Sequence, residues 1–541
     1  MRVFLSRWNR FAIGAVGTVA LAASVTARPV RQAAMGQALE IITPALTKAH
    51  VRYLSHDLLR GRDTGDVGFE LAREYVVAQF ARIGLEPING PSYLQEFGLL
   101  EAGADRGSEL TVGATRLAGP VARFTPAWLT GRDSWQGAGV FVGYGLATHG
   151  RDDYAGADVR GKAVFLLTGV PGDWNADRDR ARAAAARVEI ARRKGAAVVV
   201  ELTPDDRAPG PASAGSEPPR RLIVLADGSS PRVRVDAVVS GPAAKALLAD
   251  WKWVADDAQR PTALDVGTVR LVRTHEIKRL KSWNVVGIIP GSDPARRNES
   301  VVFSSHLDHI GIVPPDADGD TICNGTHDNA IGTSQMLASA EALVRMRPPR
   351  TIVFAAVGAE ERGLLGSWHY VRNPVMPIEK TVANINLDGG REGAITDDVI
   401  DNAADLSDMA QIVRQIMGAH QISVTQDRSP SALVGFSSDH FSFLLAGIPA
   451  IDLKPGYSVN GDPERGWKER MHYYETQRHK PADNFDEAFS FESPAEMARR
   501  AVRLAWALAT MDGMPQMADH VMARPRIIPR EPYYFGPGRA F

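Results

Sequence analysis

The chain has 541 residues, with 62 lysines and arginines against 63 aspartates and glutamates, a formal net charge of -1, and 44% hydrophobic and 23% charged residues. That length exceeds what one hydrophobic core organises, so two folded units are expected, and the even charge balance argues against a nucleic-acid partner. The single cysteine, Cys323, excludes an intramolecular disulfide.

The N-terminus carries Arg2, Arg7 and Arg10, an apolar run from Phe11 to Ala23, and small residues at Val25-Thr26-Ala27. This pattern predicts a signal peptide over residues 1–27. The run is shorter than the roughly 20 apolar residues that span a bilayer, and no second such run follows, so an exported chain without stable membrane insertion is expected. Between 28 and 130 two helices are predicted, one carrying Val51, Leu54, Leu58 and Leu59, the other Leu71, Tyr75, Val76, Phe80 and Ile83, around a turn at Gly61-Arg62-Asp63.

Residues 131–275 read as a small α/β insert. Strands are predicted at Ala163 to Leu167, Ala197 to Leu202, Leu222 to Leu225 and Val233 to Val239, with an Ala/Arg-rich helix between Asp177 and Lys194. The basic residues from Arg178 to Arg193 alternate with alanines and acids and form a solvated face.

From 276 to 515 apolar strands alternate with amphipathic helices. The predicted class is therefore α/β, with a mainly parallel mixed sheet sandwiched by helices. Strands are placed at Val301 to Ser304, Thr351 to Val357, Val382 to Leu387 and Ala450 to Leu453, and helices at Ser334 to Met346 and Pro494 to Met511. A Pro- and Arg-rich tail covers residues 516–541.

Five segments put metal-competent side chains at or just past predicted strand ends, the edge where open α/β sheets bind ligands. They are Ser305-His306-Leu307-Asp308-His309, Asn324-Gly325-Thr326-His327-Asp328-Asn329, Glu360-Glu361, Asn386-Leu387-Asp388 and Arg478-His479-Lys480-Pro481-Ala482-Asp483. Adjacent glutamates after an apolar strand repel each other and are costly to bury without a compensating cation. Nitrogen and oxygen donors of this kind suit zinc.

These segments resemble the aminopeptidase Y-type family of co-catalytic zinc peptidases, relatives of bacterial leucine aminopeptidases and glutamate carboxypeptidase II. The likeness extends through Tyr53 to Arg62, Asp328-Asn329-Ala330, Glu360 to Ser367, Ser438-Asp439-His440 and Gly447 to Ala450. Gly143-Tyr144-Gly145 and Asp152-Asp153-Tyr154 resemble a protease-associated domain, which in that family interrupts the peptidase domain. The resemblance implies an exported metallo-aminopeptidase acting on peptides with two zinc ions, cobalt or manganese being alternatives. By the same resemblance His306 and Asp388 hold one ion, Glu361 and His479 the other, and Asp328 bridges them. Asp308 accepts a hydrogen bond from His306, and Glu360 is the general base.

Two departures from the family pattern are visible. Thr326-His327 precedes Asp328 where the family carries Ala-Asp, and Arg478 stands where the family places an oxyanion-binding tyrosine. Arg478 can supply similar charge; Tyr457, Tyr473 and Tyr474, in the segment from Lys454 to Gln477, are the alternatives. The rival functions are a glutaminyl cyclase or carboxypeptidase on the same fold and a non-catalytic receptor-like scaffold. The full ligand set argues against the last.

Overall fold

The computed structural model describes residues 35–127, 133–148, 151–169, 186–204, 221–229, 234–253, 263–391, 393–402, 406–428 and 438–518. The expected signal peptide, the first part of the Ala/Arg-rich helix and the tail from 519 onward lie outside the described residues.

Two mixed sheets organise the chain. The first runs in the order Ile223–Leu225, Leu94–Asp105, His275–Ile289, Thr351–Val357, Ser300–His306, Thr381–Asn386, Ala450–Asp452, with Glu86–Pro87 paired to the side of His275–Ile289. Its last four strands are mutually parallel, and its other pairings are antiparallel. The parallel strands are buried from end to end because helices cover both faces.

Alternation along each strand sorts side chains between two cores. Val301, Phe303, Ile352, Phe354 and Ala356 face one, with the helices Pro44–Leu54, Val67–Ile83, Ile331–Met346 and Glu492–Thr510. Val302, Val353, Ala355 and Val357 face the other, against Leu365–Arg372 and His440–Leu445.

Local chemistry sets the helix ends. Thr43 accepts the Leu46 amide at 3.1 Å with Pro44 in the first turn, and Asp66 accepts the Gly68 amide at 3.0 Å. Gly84, at φ 88°, ends the second helix in the left-handed region that glycine tolerates best. The helix Glu492–Thr510 packs on Ile331–Met346, whose long apolar face therefore lies deep in the molecule.

The second sheet runs Thr115–Ala118, Glu109–Val112, Leu264–Val272, Ser134–Phe141, Ala163–Leu167, Val198–Thr203, Ala237–Ser240, Ala122–Phe124. It draws on strands from Glu109 onward, before residue 131. Ile223–Leu225, expected with the insert, pairs instead with the first sheet, in the register Ile223↔Glu101 and Leu225↔Leu99. All three of its residues are buried, and an apolar triplet fits the edge of either sheet until tertiary pairing selects one.

Phe303 and Phe354 stack at 5.0 Å in the first core, both fully buried. Phe354→Ala should therefore destabilise the protein by about 3–5 kcal/mol, read as a lower urea midpoint for the cooperative transition of this core.

Candidate metal centre

The parallel strands end on one edge, and their ends carry the candidate residues. His306 is the last residue of Ser300–His306, Asp388 lies two positions beyond Thr381–Asn386, and Glu360-Glu361 follow Thr351–Val357. Asp328 sits in the turn Thr326–Ala330 that leads into Ile331–Met346, and His479 follows the helix Arg465–Thr476.

Among the described residues two groups gather with donor atoms within 4.8 Å of one another: His306, Asp328 and Asp388, and His309, Asp328 and Glu361. Asp328 belongs to both. Its Oδ1 is 3.1 Å from His306 Nε2 and its Oδ2 is 3.1 Å from His479 Nε2. Asp388 Oδ1 also lies 3.1 Å from His306 Nε2. Glu361 Oε1 lies 3.2 Å from His479 Nε2 and 3.0 Å from His309 Nδ1. All five expected ligands thus converge, and His309 joins them.

His306 donates from Nδ1 to the main-chain carbonyl of Asp308, at 3.0 Å, which leaves Nε2 directed at the carboxylates. This corrects the expected role of Asp308, whose carboxylate does not receive that bond. Its oxygens take the amides of Glu360, at 2.9 Å, and Glu361, at 3.3 Å, and the Thr64 hydroxyl at 3.2 Å. The reason is reach: a side chain two residues along the chain points away, towards the neighbouring loop, while its carbonyl folds back onto the imidazole. Asp308 therefore anchors the Glu360-Glu361 loop.

Other buried groups brace the turn at Asp328. Asn329 accepts the amides of Gly332 and Gly389 and donates to Ser305 and Leu387. Asp483 accepts the His327 amide at 3.0 Å, its Nδ1–H at 2.7 Å and the Tyr473 hydroxyl at 3.2 Å. Arg62, fully buried, donates to the carbonyls of Leu307, Leu54, Asn324 and Gly325, tying two ligand loops to the N-terminal segment. Lys454 lies 2.8 Å from the buried Asp452 and 3.9 Å from Asp388 Oδ2, behind the oxygen that faces His306.

The electrostatics show a shortage of positive charge. Burial alone would lower the His306 pKa, but Glu360 and Asp388, with hydrogen bonds to the carboxylates of Asp328 and Asp388, hold it well above the ordinary value. Burial raises the Glu360 pKa well above the carboxyl range, with Glu361, Asp439 and Asp388 adding to it against His306. Burial likewise pushes Asp439 up to about 7. Among the described residues, His309 Nε2 is buried without a hydrogen-bond partner. The donor set fits divalent ions of the zinc type: His306, Asp328 and Asp388 for one, and Asp328, Glu361, His309 and His479 for the other.

The model of peptidase family M28 matches residues 284–505. That segment is similar to the family and makes up less than half of the chain. It holds every residue of the two donor groups. Over 190 residues the chain is 30% identical to "Aminopeptidase YwaD" of Bacillus subtilis (strain 168), covering 34% of this chain and 36% of that protein. Over 196 residues it is 28% identical to "Probable glutamate carboxypeptidase" of Arthroderma benhamiae, covering 34% of this chain and 25% of that one. The chain thus spans about a third or less of the length of these relatives. Among solved structures, "Aminopeptidase from Aneurinibacillus sp. strain AM-1" is similar at a TM-score of 0.49 and 18% identity, covering 90% of this chain and 97% of that one.

Tertiary placement also resolves the M28 segment's remaining side chains. Tyr457 is buried, with its hydroxyl on Asp427 at 2.8 Å, so it does not serve the donor groups. Tyr473 is taken by Asp483, and Arg478 Nε lies 3.7 Å from Asp328 Oδ2. Burial pushes the Cys323 thiol up to about 12, in keeping with a packing residue. His309, Asp439, Asp452 and Lys454 carried no assigned role in the sequence. The charged types at the helix start in Ser438-Asp439-His440 and at the strand end in Asp452-Leu453-Lys454 were the signal available.

Zinc added to metal-free protein at a hundred times its dissociation constant should stabilise the fold by about 2.7 kcal/mol, seen as a raised calorimetric unfolding temperature. Asp328→Ala, which removes the carboxylate common to both groups, should abolish that shift.

Proposed function

We propose that the protein is an exported two-metal aminopeptidase that removes N-terminal residues from peptides, with Glu360 as general base. The observation that carries this reading is the pair of buried donor groups joined by Asp328, with Glu360 only partly buried beside them. The M28 match and the relative named as an aminopeptidase support the reaction class.

Two bound divalent ions would polarise the scissile carbonyl and make the attacking water acidic enough to lose a proton near neutrality. Glu360 takes that proton and delivers it to the leaving amine. Asp308 keeps Glu360 in place by accepting its amide. Arg478, near Asp328, supplies a fixed positive charge for the oxyanion, the work assigned to a tyrosine in the resembling family. His306 and Asp388 hold one ion, Glu361 and His479 the other, with His309 beside Glu361. Zinc is the proposed ion, with cobalt and manganese the alternatives.

Export rests on the charged and apolar pattern of residues 1–27. Among the described residues no helix is long and apolar enough to cross a membrane. The unit built on the second sheet, which takes strands from Glu109 to Val272 but not Ile223–Leu225, is proposed to be a protease-associated domain inserted within the peptidase domain.

Glu360→Gln should retain both metals by elemental analysis and lose about 10²–10⁴-fold in kcat on an unblocked amino-acid amide. The wild type should cleave unblocked amides and spare N-acylated ones. Wild-type rates in the variant would remove Glu360 as the base, and equal cleavage of blocked substrates would remove the aminopeptidase reading.

A further inference from the structure

The connections of the second sheet reach the loop that carries Glu360 and Glu361. Arg221, just before the strand Ile223–Leu225, forks Glu101 on Leu94–Asp105, with Nη2 to Oε2 at 2.7 Å. Its Nη1 lies 2.9 Å from Asp63 Oδ2 and 3.0 Å from the Thr64 carbonyl. The other oxygen of Asp63 accepts Nη2 of Arg362, the residue that follows Glu361. Arg362 is 3% exposed at its side chain, Asp63 15% and Arg221 31%, so the relay runs from the surface inward to the donor groups.

A second approach is independent of the first. Gly363 has φ +110°, and a Cβ there would meet the Arg234 guanidinium at 3.6 Å. Arg234 precedes the strand Ala237–Ser240 of the second sheet. Asp227, two residues past Ile223–Leu225, also faces Arg372 at the end of the helix Leu365–Arg372, at 4.0 Å. The 360–363 loop therefore has residues of the insert close to its far side, while Asp308 accepts the Glu360 and Glu361 amides from its near side.

We infer that Arg221 is a positioning residue: through Asp63 and Arg362 it couples the insert to Glu361 and sets how firmly that carboxylate is presented to the ion it would hold. This rests on Glu361 being a metal ligand, as proposed above. Asp63 is shared between two guanidiniums, so loss of Arg221 leaves it free to swing towards Arg362 and shifts the main chain beside Glu361. Outer residues that orient a ligand typically change metal affinity by about 10–100-fold when removed. The insert then acts as a structural determinant of the metal centre.

The test is zinc titration by calorimetry on the full-length wild type, Arg221→Met, Asp63→Asn and the double variant, with circular dichroism to compare their folds. Arg221→Met and Asp63→Asn should each weaken one of two zinc-binding steps by about tenfold and leave the other unchanged. The double variant should be no weaker than Asp63→Asn alone, because both act through one carboxylate. Arg221→Lys, which keeps one bond to Asp63, should recover part of the loss. Wild-type affinity in a folded Arg221→Met, or additive losses in the double variant, would overturn the relay. A wild type that binds no zinc would instead overturn the metal reading on which it rests. Should Asp63→Asn fail to fold, Arg362→Met replaces it in the cycle with the same expectations.

Discussion

The constraint on which this structure turns is the crowding of carboxylates at one sheet edge. Asp308, Asp328, Glu361, Asp439, Asp452 and Asp483 are buried there, with Glu360 and Asp388 partly buried beside them. Two like charges about 4 Å apart at an effective dielectric of 20 repel by about 4 kcal/mol, so such a cluster persists only with compensating charge. Arg62, Lys454 and Arg478 supply part of it. The raised His306 pKa marks the remaining deficit.

The fold meets this constraint by rigidity. Parallel strands with both faces covered hold their ends in fixed register, so His306, the Glu360-Glu361 loop and Asp388 emerge side by side from neighbouring strands. The elements arriving from elsewhere, the Asp328 turn and the His479 loop, are tied to each other by Asp483, and the Asp328 turn is tied to the N-terminal segment by Arg62. Nearly every polar bond near the centre runs between two loops. The site is thus built by cross-bracing, and the charge that would drive the loops apart is held in place by neighbouring main chain.

The insert shares in this bracing. Its strand Ile223–Leu225 extends the first sheet, Asp227 faces Arg372, and Arg221 bonds Asp63, which in turn accepts from Arg362. The long antiparallel pair Leu94–Asp105 and His275–Ile289 carries the chain out to the second sheet and back, which makes the two units mechanically continuous.

The sequence by itself determined the α/β class, the apolar strands from Val301 to Leu453 and the helices on either side of them, because each is a local matter of periodicity, and it supplied the five proposed ligands through motifs that resemble a known family. It left undecided which sheet an apolar triplet such as Ile223–Leu225 joins, since pairing partners are distant in sequence and the triplet satisfies either edge. It also could not distinguish a carboxylate that receives an imidazole from one that anchors a loop, as at Asp308, or bring His309, Lys454 and Arg221 to the donor groups. Those roles depend on which loops meet in space. Only the tertiary structure decided them, because a hydrogen bond is chosen by distance and direction, and neither is encoded in the spacing of residues along the chain.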